Sequence, residues 1–413
     1  MPKTIATTPS WYWPEGVPRV LGVPPRSVVQ LGVDRPAQHD PGRPAVVWGE
    51  QTLTAAELAA CVAALGADIE NSAATPGAVV VCAGASLAGV VAVLGALASG
   101  RPSLLVAPGE RGSDVVLHDQ VLAVAVGDAE GLGALGDVGV PALEVGGQPA
   151  DGTDEQCLAG TDVPGDGSVS WRSGDELGAP SVRLAGRSGP VWHSQRSLLA
   201  GALALRAFVS PSAGSSWLTL ASPCTWDGLC GVVTALVSGV TLLAARPGDE
   251  GRDVYERHGP QWTVSSLALA ADSWSGSGRR RGRAAERWIL AGVDGPFDPD
   301  ERRAVAAAAG ADVLTMFGLA ETGPMLASHP SWYLDESVGI PVPNMHVVPA
   351  DPDTGEPVDA MWELLDRAMV SVWGPSLAVG GVEPGPGEPL GRRFATGVLA
   401  ASDPNGMLYL VDE

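Results

Sequence analysis

The sequence predicts an α/β protein with doubly wound, mainly parallel sheets and a small β subdomain at its end. Two observations carry this. From residue 45 to about 320, short apolar runs alternate with helical stretches, a strand–helix–strand grammar whose natural home is a parallel sheet. After Gly339 the grammar changes to short alternating strands broken by Gly and Pro, which suits a separate β unit.

Taken in order, residues 45–54 (AVVWGEQTLT) alternate and carry β-branched side chains, reading as a strand and turn. Thr54 followed by Glu57 is a capping-box pattern that opens a helix over Ala55 to Asp68. Val79 to Cys82 reads as a buried strand, Ser86 to Ser99 as a helix and Leu104 to Ala107 as the next strand. Leu122 to Val126 and Ala142 to Val145 continue the alternation. Gly146 to Pro180 is poor in apolar residues and rich in Gly, Asp and Ser, the composition of a long surface loop or linker. The grammar resumes with the helix Leu198 to Phe208, the strand Trp217 to Ala221, the helix Leu229 to Ser238 and the strand Thr241 to Ala245. Ile289 to Leu290, the helix Pro299 to Ala309 and the strand Asp312 to Phe317 form another unit. The terminal strands are Asn344 to Pro349, Met369 to Val372 and Leu408 to Val411.

Composition narrows the function classes. The 413 residues carry a formal charge of −22, which opposes a nucleic-acid backbone and an anionic lipid surface. Of the 25 basic residues only Lys3 is a lysine, so no catalytic lysine lies in the body of the chain. Arg279 to Arg283 (RRRGR) is the one basic run, read as a solvated loop. Cys61, Cys82, Cys157, Cys224 and Cys230 are odd in number, without CxxC or zinc-ligand spacing, so neither a disulfide framework nor a metal site is expected. The apolar stretch Ala78 to Ser99 is punctuated by Gly84, Ser86, Gly89 and Gly95 and lacks charged flanks, so it reads as core, not as a membrane span. With no apolar signal core at Met1 to Gly16, the expected location is cytoplasmic.

A family resemblance appears at Val313–Gly323 (VLTMFGLAETG), which resembles the aromatic-Gly-x-x-Glu signature of adenylate-forming enzymes, the acyl-CoA synthetases, peptide-synthetase adenylation domains and luciferases. Five further stretches support it in family order. Residues 45–68 resemble the opening strand and "T-x-x-E-L" helix, and 99–102 the turn after the second helix. Residues 191–199 (VWHSQRSLL) resemble the "V-x-H-x-x-x-x-L" segment, 338–358 the "G-x-P-x-P" stretch, and 394–410 the "Y-x-T-G-D" stretch. The resemblance implies two doubly wound, mainly parallel subdomains, approximately 40–195 and 196–338, and a small distorted β-barrel subdomain, 339–413.

The departures fall on the nucleotide contacts. Where the family has a Ser/Thr/Gly-rich loop ending in Pro-Lys-Gly that cradles ATP phosphates, residues 181–190 read SVRLAGRSGP, leaving only Arg187 and Ser188 to meet an anion. Where the family's Asp holds the ribose hydroxyls, the triplet is Thr396-Gly397-Val398. The sequence stops at Asp412-Glu413, about where the family's hinge begins, so the small C-terminal domain that carries the catalytic lysine is expected to be absent.

The acyl-site segments are better kept. Cys224 lies near the start of a helix that lines the family's acyl pocket, where a helix dipole favours a thiolate. His193, on a segment that approaches the cleft, would be its base, with Asp227 orienting the pair and Glu321 (the family's Mg²⁺ ligand) a second acid/base. Trp226, Phe317, Gly318, Leu319, Ala320 and Thr322 would line the substrate pocket, with Trp262 and Trp288 as further aromatic candidates. The plainer reading makes Cys224 a small apolar filler, His193 a hydrogen-bonder at a helix start and Asp227 a cap; His39, His118, His258, His329 and His346 stand singly. The expected function is processing of an acyl or carrier-bound thioester in natural-product biosynthesis without ATP: acyl transfer, condensation, cyclisation or hydrolysis. No resident cofactor is expected, and the partners are a small acyl substrate and possibly a carrier protein. Two alternatives stand beside it. One is an acyl-adenylating ligase using ATP and Mg²⁺ and completed by a partner domain; the other is a non-catalytic scaffold or binding pseudoenzyme.

Overall fold

The computed structural model describes residues 13–73, 75–109, 117, 120–136, 138–146, 176–187, 189–274, 287–331, 333–359, 365–380, 393–404 and 406–412. Most of the expected loop at 146–180, the basic run Arg279–Arg283, His118, Cys157 and Ser188 lie outside them.

The fold opens with a π-helix, Gln30–Asp34, that runs into α1 (Arg35–His39). The hairpin β1 (Pro44–Trp48) and β2 (Gln51–Thr54) follows. Thr54 and Glu57 close the capping box as the sequence implies, and α2 (Ala55–Ser72) continues one turn past the expected end. β3 (Ala78–Cys82), α3 (Leu87–Ser99), β4 (Ser103–Val106), β5 (Leu122–Gly127), α4 (Ala129–Leu135) and β6 (Ala142–Glu144) make the first doubly wound unit. Every residue of β3 is buried, as a strand covered on both faces requires. Gly95 lets α3 approach α2, since a Cβ there would lie 2.6 Å from Leu65 Cδ2. The apolar stretch that raised a membrane question is thus β3 and α3, and no helix among the described residues is long and apolar enough to cross a membrane.

The hairpin β7 (Pro180–Gly186) and β8 (Gly189–Ser194) completes a six-stranded sheet in the order β6-β5-β3-β4-β7-β8, parallel except at β7–β8. α5 (Gln195–Val209), β9 (Ser216–Thr219), α6 (Trp226–Ser238), β10 (Thr241–Ala244), α7 (Asp249–His258), β11 (Trp262–Ser266), α8 (Leu267–Trp274), β12 (Trp288–Val293), α9 (Pro299–Ala309), β13 (Asp312–Leu319), β14 (Gly323–Ala327) and β15 (Ile340–Pro341) build the second unit. Its nine-stranded sheet has the order β15-β14-β13-β12-β11-β9-β10-β1-β2. The opening hairpin therefore joins the second sheet, with Val46 in register with Leu242. Trp217, Trp262 and Trp288 stand in register across β9, β11 and β12, with ring centroids 6.1 and 5.1 Å apart. Trp217 and Trp262 are buried in the core of the sheet, and the half-buried Trp288 packs against it.

β16 (His346–Ala350), β17 (Ala368–Trp373), β18 (Phe394–Ser402) and β19 (Leu408–Val411) pair in chain order as an antiparallel four-stranded sheet. The loop from Gly374 to Gly380 leaves this sheet and returns to the strand ends of the other two, which sets the geometry of the site.

Candidate functional site

β13 ends at Leu319, and the chain reverses through Ala320, Glu321 and Thr322 into β14. The reversal is fixed locally. Thr322 N donates to Leu319 O at 3.0 Å, Leu319 N donates to Thr322 Oγ1 at 3.2 Å, and that hydroxyl donates to Gly323 O at 2.9 Å. Glu321 thus stands at the carboxyl end of a central strand, the place where open α/β sheets gather ligands.

Here that place is closed. Glu321 is 1% exposed. Its carboxylate lies against the β7–β8 turn: a Cβ at Gly186 would sit 2.7 Å from Glu321 Oε1 and 2.7 Å from Gly189 O. Gly186 pairs with Gly189, so only Arg187 and Ser188 lie between the strands, and Arg187 Nη1 donates to Asp294 O at 3.1 Å. The loop from Gly374 to Gly380 covers the other side. Ala378 N donates to Glu321 O (2.9 Å), Ser376 Oγ to Thr322 O (2.9 Å), Val379 N to Trp192 O (2.7 Å) and Trp192 N to Gly380 O (2.8 Å). Val191, Ala320 and Ala378 pack together beneath this lacing, with Trp226 against them.

His193 is fully buried beside the turn. Its Nε2 donates to Ala320 O at 2.5 Å, its Nδ1 lies 3.1 Å from Ser197 Oγ, and its ring stacks on Trp226 at 5.5 Å. Because a carbonyl only accepts, the proton sits on Nε2, and Nδ1 faces the Ser197 hydroxyl, which also lies 3.0 Å from Ser194 O. Burial pushes the imidazole down to about 4, against the opposing pull of the Ala320 carbonyl. Cys224 is 2% exposed. Its Sγ lies 3.6 Å from Val81 O, and burial pushes the thiol up to about 12. No hydrogen bond among the described residues joins Cys224 to His193, whose ring nitrogens serve Ser197 and Ala320.

Asp227 lies in the first turn of α6, but the cap is Thr225, whose side chain accepts from Gly228 N at 3.3 Å. The Asp227 carboxylate reaches β12 instead: a Cβ at Gly292 would lie 2.9 Å from its Oδ1. Among the pocket candidates, Trp226 is half-buried; Phe317 and Leu319 belong to the main core, and Gly318 packs against the Gly323 backbone. Sequence reasoning missed the covering loop, Gly292, Ser197 and the closeness of Gly186 to Glu321. Only the Gly-Pro-Ser at 374–376 marked the loop, as a turn signal.

Comparison with known proteins agrees with this architecture. Residues 186–364 match the model of the AMP-binding enzyme family. Among solved structures, the nonribosomal peptide synthetase FmoA3 bound to alpha-methyl-L-serine-AMP superposes with a TM-score of 0.75 at 19% identity, covering 95% of this chain and 45% of that one. The amide bond synthetase McbA from Marinactinospora thermotolerans gives 0.73 at 21% identity, over 92% of this chain and 78% of that one. The long-chain-fatty-acid-CoA ligase FadD1 from Archaeoglobus fulgidus gives 0.77 at 15% identity, over 95% and 85%. No protein of curated function matches by sequence. The chain spans less than half the length of FmoA3. It is thus related to the adenylate-forming enzymes, by sequence in its middle and by fold over nearly its whole length.

The residues present do not fit that family's nucleotide and metal. Val398, at the position the resemblance assigns to ribose binding, is 3% exposed, part of the main core, and offers no acceptor. At the position the resemblance assigns to the phosphate loop, Gly186 pairs with Gly189 and Arg187 is engaged with the Asp294 carbonyl. Glu321 is sealed behind Gly186 and the covering loop.

Proposed function

We propose that this chain is an adenylation-fold protein that has given up the nucleotide-dependent chemistry and serves as a non-catalytic scaffold or binding partner. The observation that carries the reading is the lacing of the Glu321 turn to β8 by the Gly374–Gly380 loop, which leaves Glu321 and His193 buried and covered. The candidate groups for ATP-independent acyl chemistry sit poorly for it. A thiol held near 12 is not ionised at neutral pH, and a histidine whose two nitrogens are both engaged inside the core presents neither of them to a substrate.

The test combines binding and turnover. A ligand that binds only the native state stabilises it by RT ln(1 + [L]/Kd), so millimolar ATP with Mg²⁺ should leave the melting temperature within about 1 °C. Pyrophosphate exchange with any carboxylic acid promotes the ligase reading instead. Turnover of a carrier-bound acyl thioester without ATP restores the acyl-processing reading.

A further inference from the structure

On the side of the second unit where α5 and α6 end, a cavity of about 270 Å³ opens between those helix ends and α1. Leu31, Pro36, Leu236 and Val237 give it an apolar floor. Arg35, Arg43 and Arg206 bring three guanidinium groups to its rim, with Asp40 the one carboxylate and His39 beside it. Past Arg206 a second cleft of about 420 Å³ continues the groove between Leu21, Leu203, Ala207 and Pro211.

Three features mark this groove as built for a ligand. The first is its charge. The chain has 47 acidic residues against 25 basic ones, and several arginines elsewhere pair with acids, as Arg101 with Glu70, Arg246 with Glu130, Arg257 with Glu50 and Arg302 with Asp335 do. Arg35 and Arg206 are exposed and make no ion pair among the described residues. The second is positioning. Arg43 Nη1 donates to Gly239 O at 2.5 Å, which fixes that guanidinium at the end of α6, and partial burial lowers its proton affinity while Asp40 raises it. The third is the wall itself. Arg35 directly follows, and Leu31 lies within, a π-helix, a rare element that recurs at functional sites, and its Gly32 packs so closely on α6 that a Cβ there would lie 3.0 Å from Leu236 Cβ.

The helix ends supply carbonyls, which repel anions, so any anion here is held by side chains. Guanidinium forks match a carboxylate in two parallel hydrogen bonds. An apolar floor with such a rim selects an apolar body carrying one such head. We propose that this groove binds an amphiphilic carboxylate, an organic acid with a single carboxylate on an aliphatic or aromatic body, at a site separate from the Glu321 turn.

The test is calorimetric titration of the full chain with sodium octanoate, set against 1-octanol, which keeps the body without the charge, and sodium phosphate, which keeps charge without the body. Octanoate should saturate below about 10 mM, octanol should bind at least tenfold more weakly, and phosphate should not displace octanoate. Arg206→Gln and Arg35→Gln, both exposed and checked for an unchanged circular dichroism spectrum and melting point, should each weaken octanoate about fivefold to tenfold, and raised salt should weaken it further. No saturation below about 10 mM, equal binding in both variants, or displacement of octanoate by phosphate at matched concentration overturns the proposal.

Discussion

His193 Nε2 donates a hydrogen bond of 2.5 Å to the carbonyl oxygen of Ala320, the residue that precedes Glu321. One bond thus joins the end of β8, at the start of α5, to the carboxyl end of β13, and so ties the first sheet to the second. An imidazole in this position acts as a strut. It is neutral, stacked on Trp226, and engaged at its two nitrogens by Ser197 and the Ala320 carbonyl.

The strut makes stability depend on pH. His193 titrates near 6.5 in the unfolded chain and near 4 in the fold, so the unfolded state binds more protons between those values. Stability is therefore fully present above about pH 6.5 and is lost as pH falls toward 4, by about 3 kcal/mol at the limit. Urea denaturation from pH 7.5 to 4.5 should show that decline. In His193→Gln the corresponding part of the slope should vanish while the variant is less stable at pH 7.5. A slope unchanged by the substitution assigns the decline to carboxylates elsewhere.

The Gly186 turn offers a steric test. A methyl group there meets Glu321 Oε1 and Gly189 O, both at 2.7 Å, so Gly186→Ala should cost about 2 kcal/mol. Half of the clash is with a side chain and half with backbone. Combining Gly186→Ala with Glu321→Ala should therefore recover part of the loss, a coupling of about 1 kcal/mol in a double-mutant cycle. Strict additivity would show that the carboxylate does not rest on this turn.

Much of this fold was legible in the sequence because its strands are buried on both faces and its helices carry their own caps. Val79 to Cys82, Pro299 to Ala309 and Leu408 to Val411 were readable from apolar runs, from Asp298 capping before Pro299, and from alternation. What stayed hidden depends on partners distant in sequence. The strand Trp262–Ser266 and the helix Asp249–His258 carry weak local signals: Gly248 gives that helix no side-chain cap, and only the neighbouring strands make Trp262 an interior residue. The site was legible in position and not in state. Glu321 stands at the strand end that its motif implies, but closure comes from a loop more than fifty residues away and from a glycine in another sheet. The family resemblance put Cys224 and His193 near one cleft; it carried no information on which carbonyl each would choose.

Cys224 should be inert in the native protein. With its thiol pushed up to about 12 and its side chain 2% exposed, thiolate is scarce and access is poor. Iodoacetamide labelling followed by peptide mass spectrometry should leave Cys224 unmodified over hours at pH 7.5 and label it fully in urea. Cys224→Ser should cost about 1–2 kcal/mol, because it buries a hydroxyl in a site shaped for sulfur. Rapid native labelling, at a rate that rises with pH from 6 to 8, would return the cysteine to the candidate nucleophiles.

Val398 allows the nucleotide contact implied by the family resemblance to be tested. The side chain lies in β18 between Thr396 and Ala400, all three buried, and belongs to the main core. Thr396 Oγ1 donates to Val370 O and accepts from Val398 N, so the local backbone is fixed without the residue that the family places here. An aspartate at this position meets apolar neighbours where the family offers ribose hydroxyls. Val398→Asp should cost about 3 kcal/mol or more at pH 7.5, the expense of an unpaired buried charge. Burial raises the new carboxyl above its ordinary range, so protonation relieves the penalty and the loss should be smaller at pH 5 than at pH 7.5. Val398→Ala, which adds no charge, should cost less and show no such pH dependence. Melting curves at the two pH values, with and without millimolar ATP and Mg²⁺, separate the cases. If Val398→Asp is as stable as the native chain and gains a nucleotide-dependent rise in melting temperature, the ribose site is open and the cleft is a nucleotide site lacking one residue. Destabilisation with no response to ATP is the outcome expected of a cleft filled by its own core.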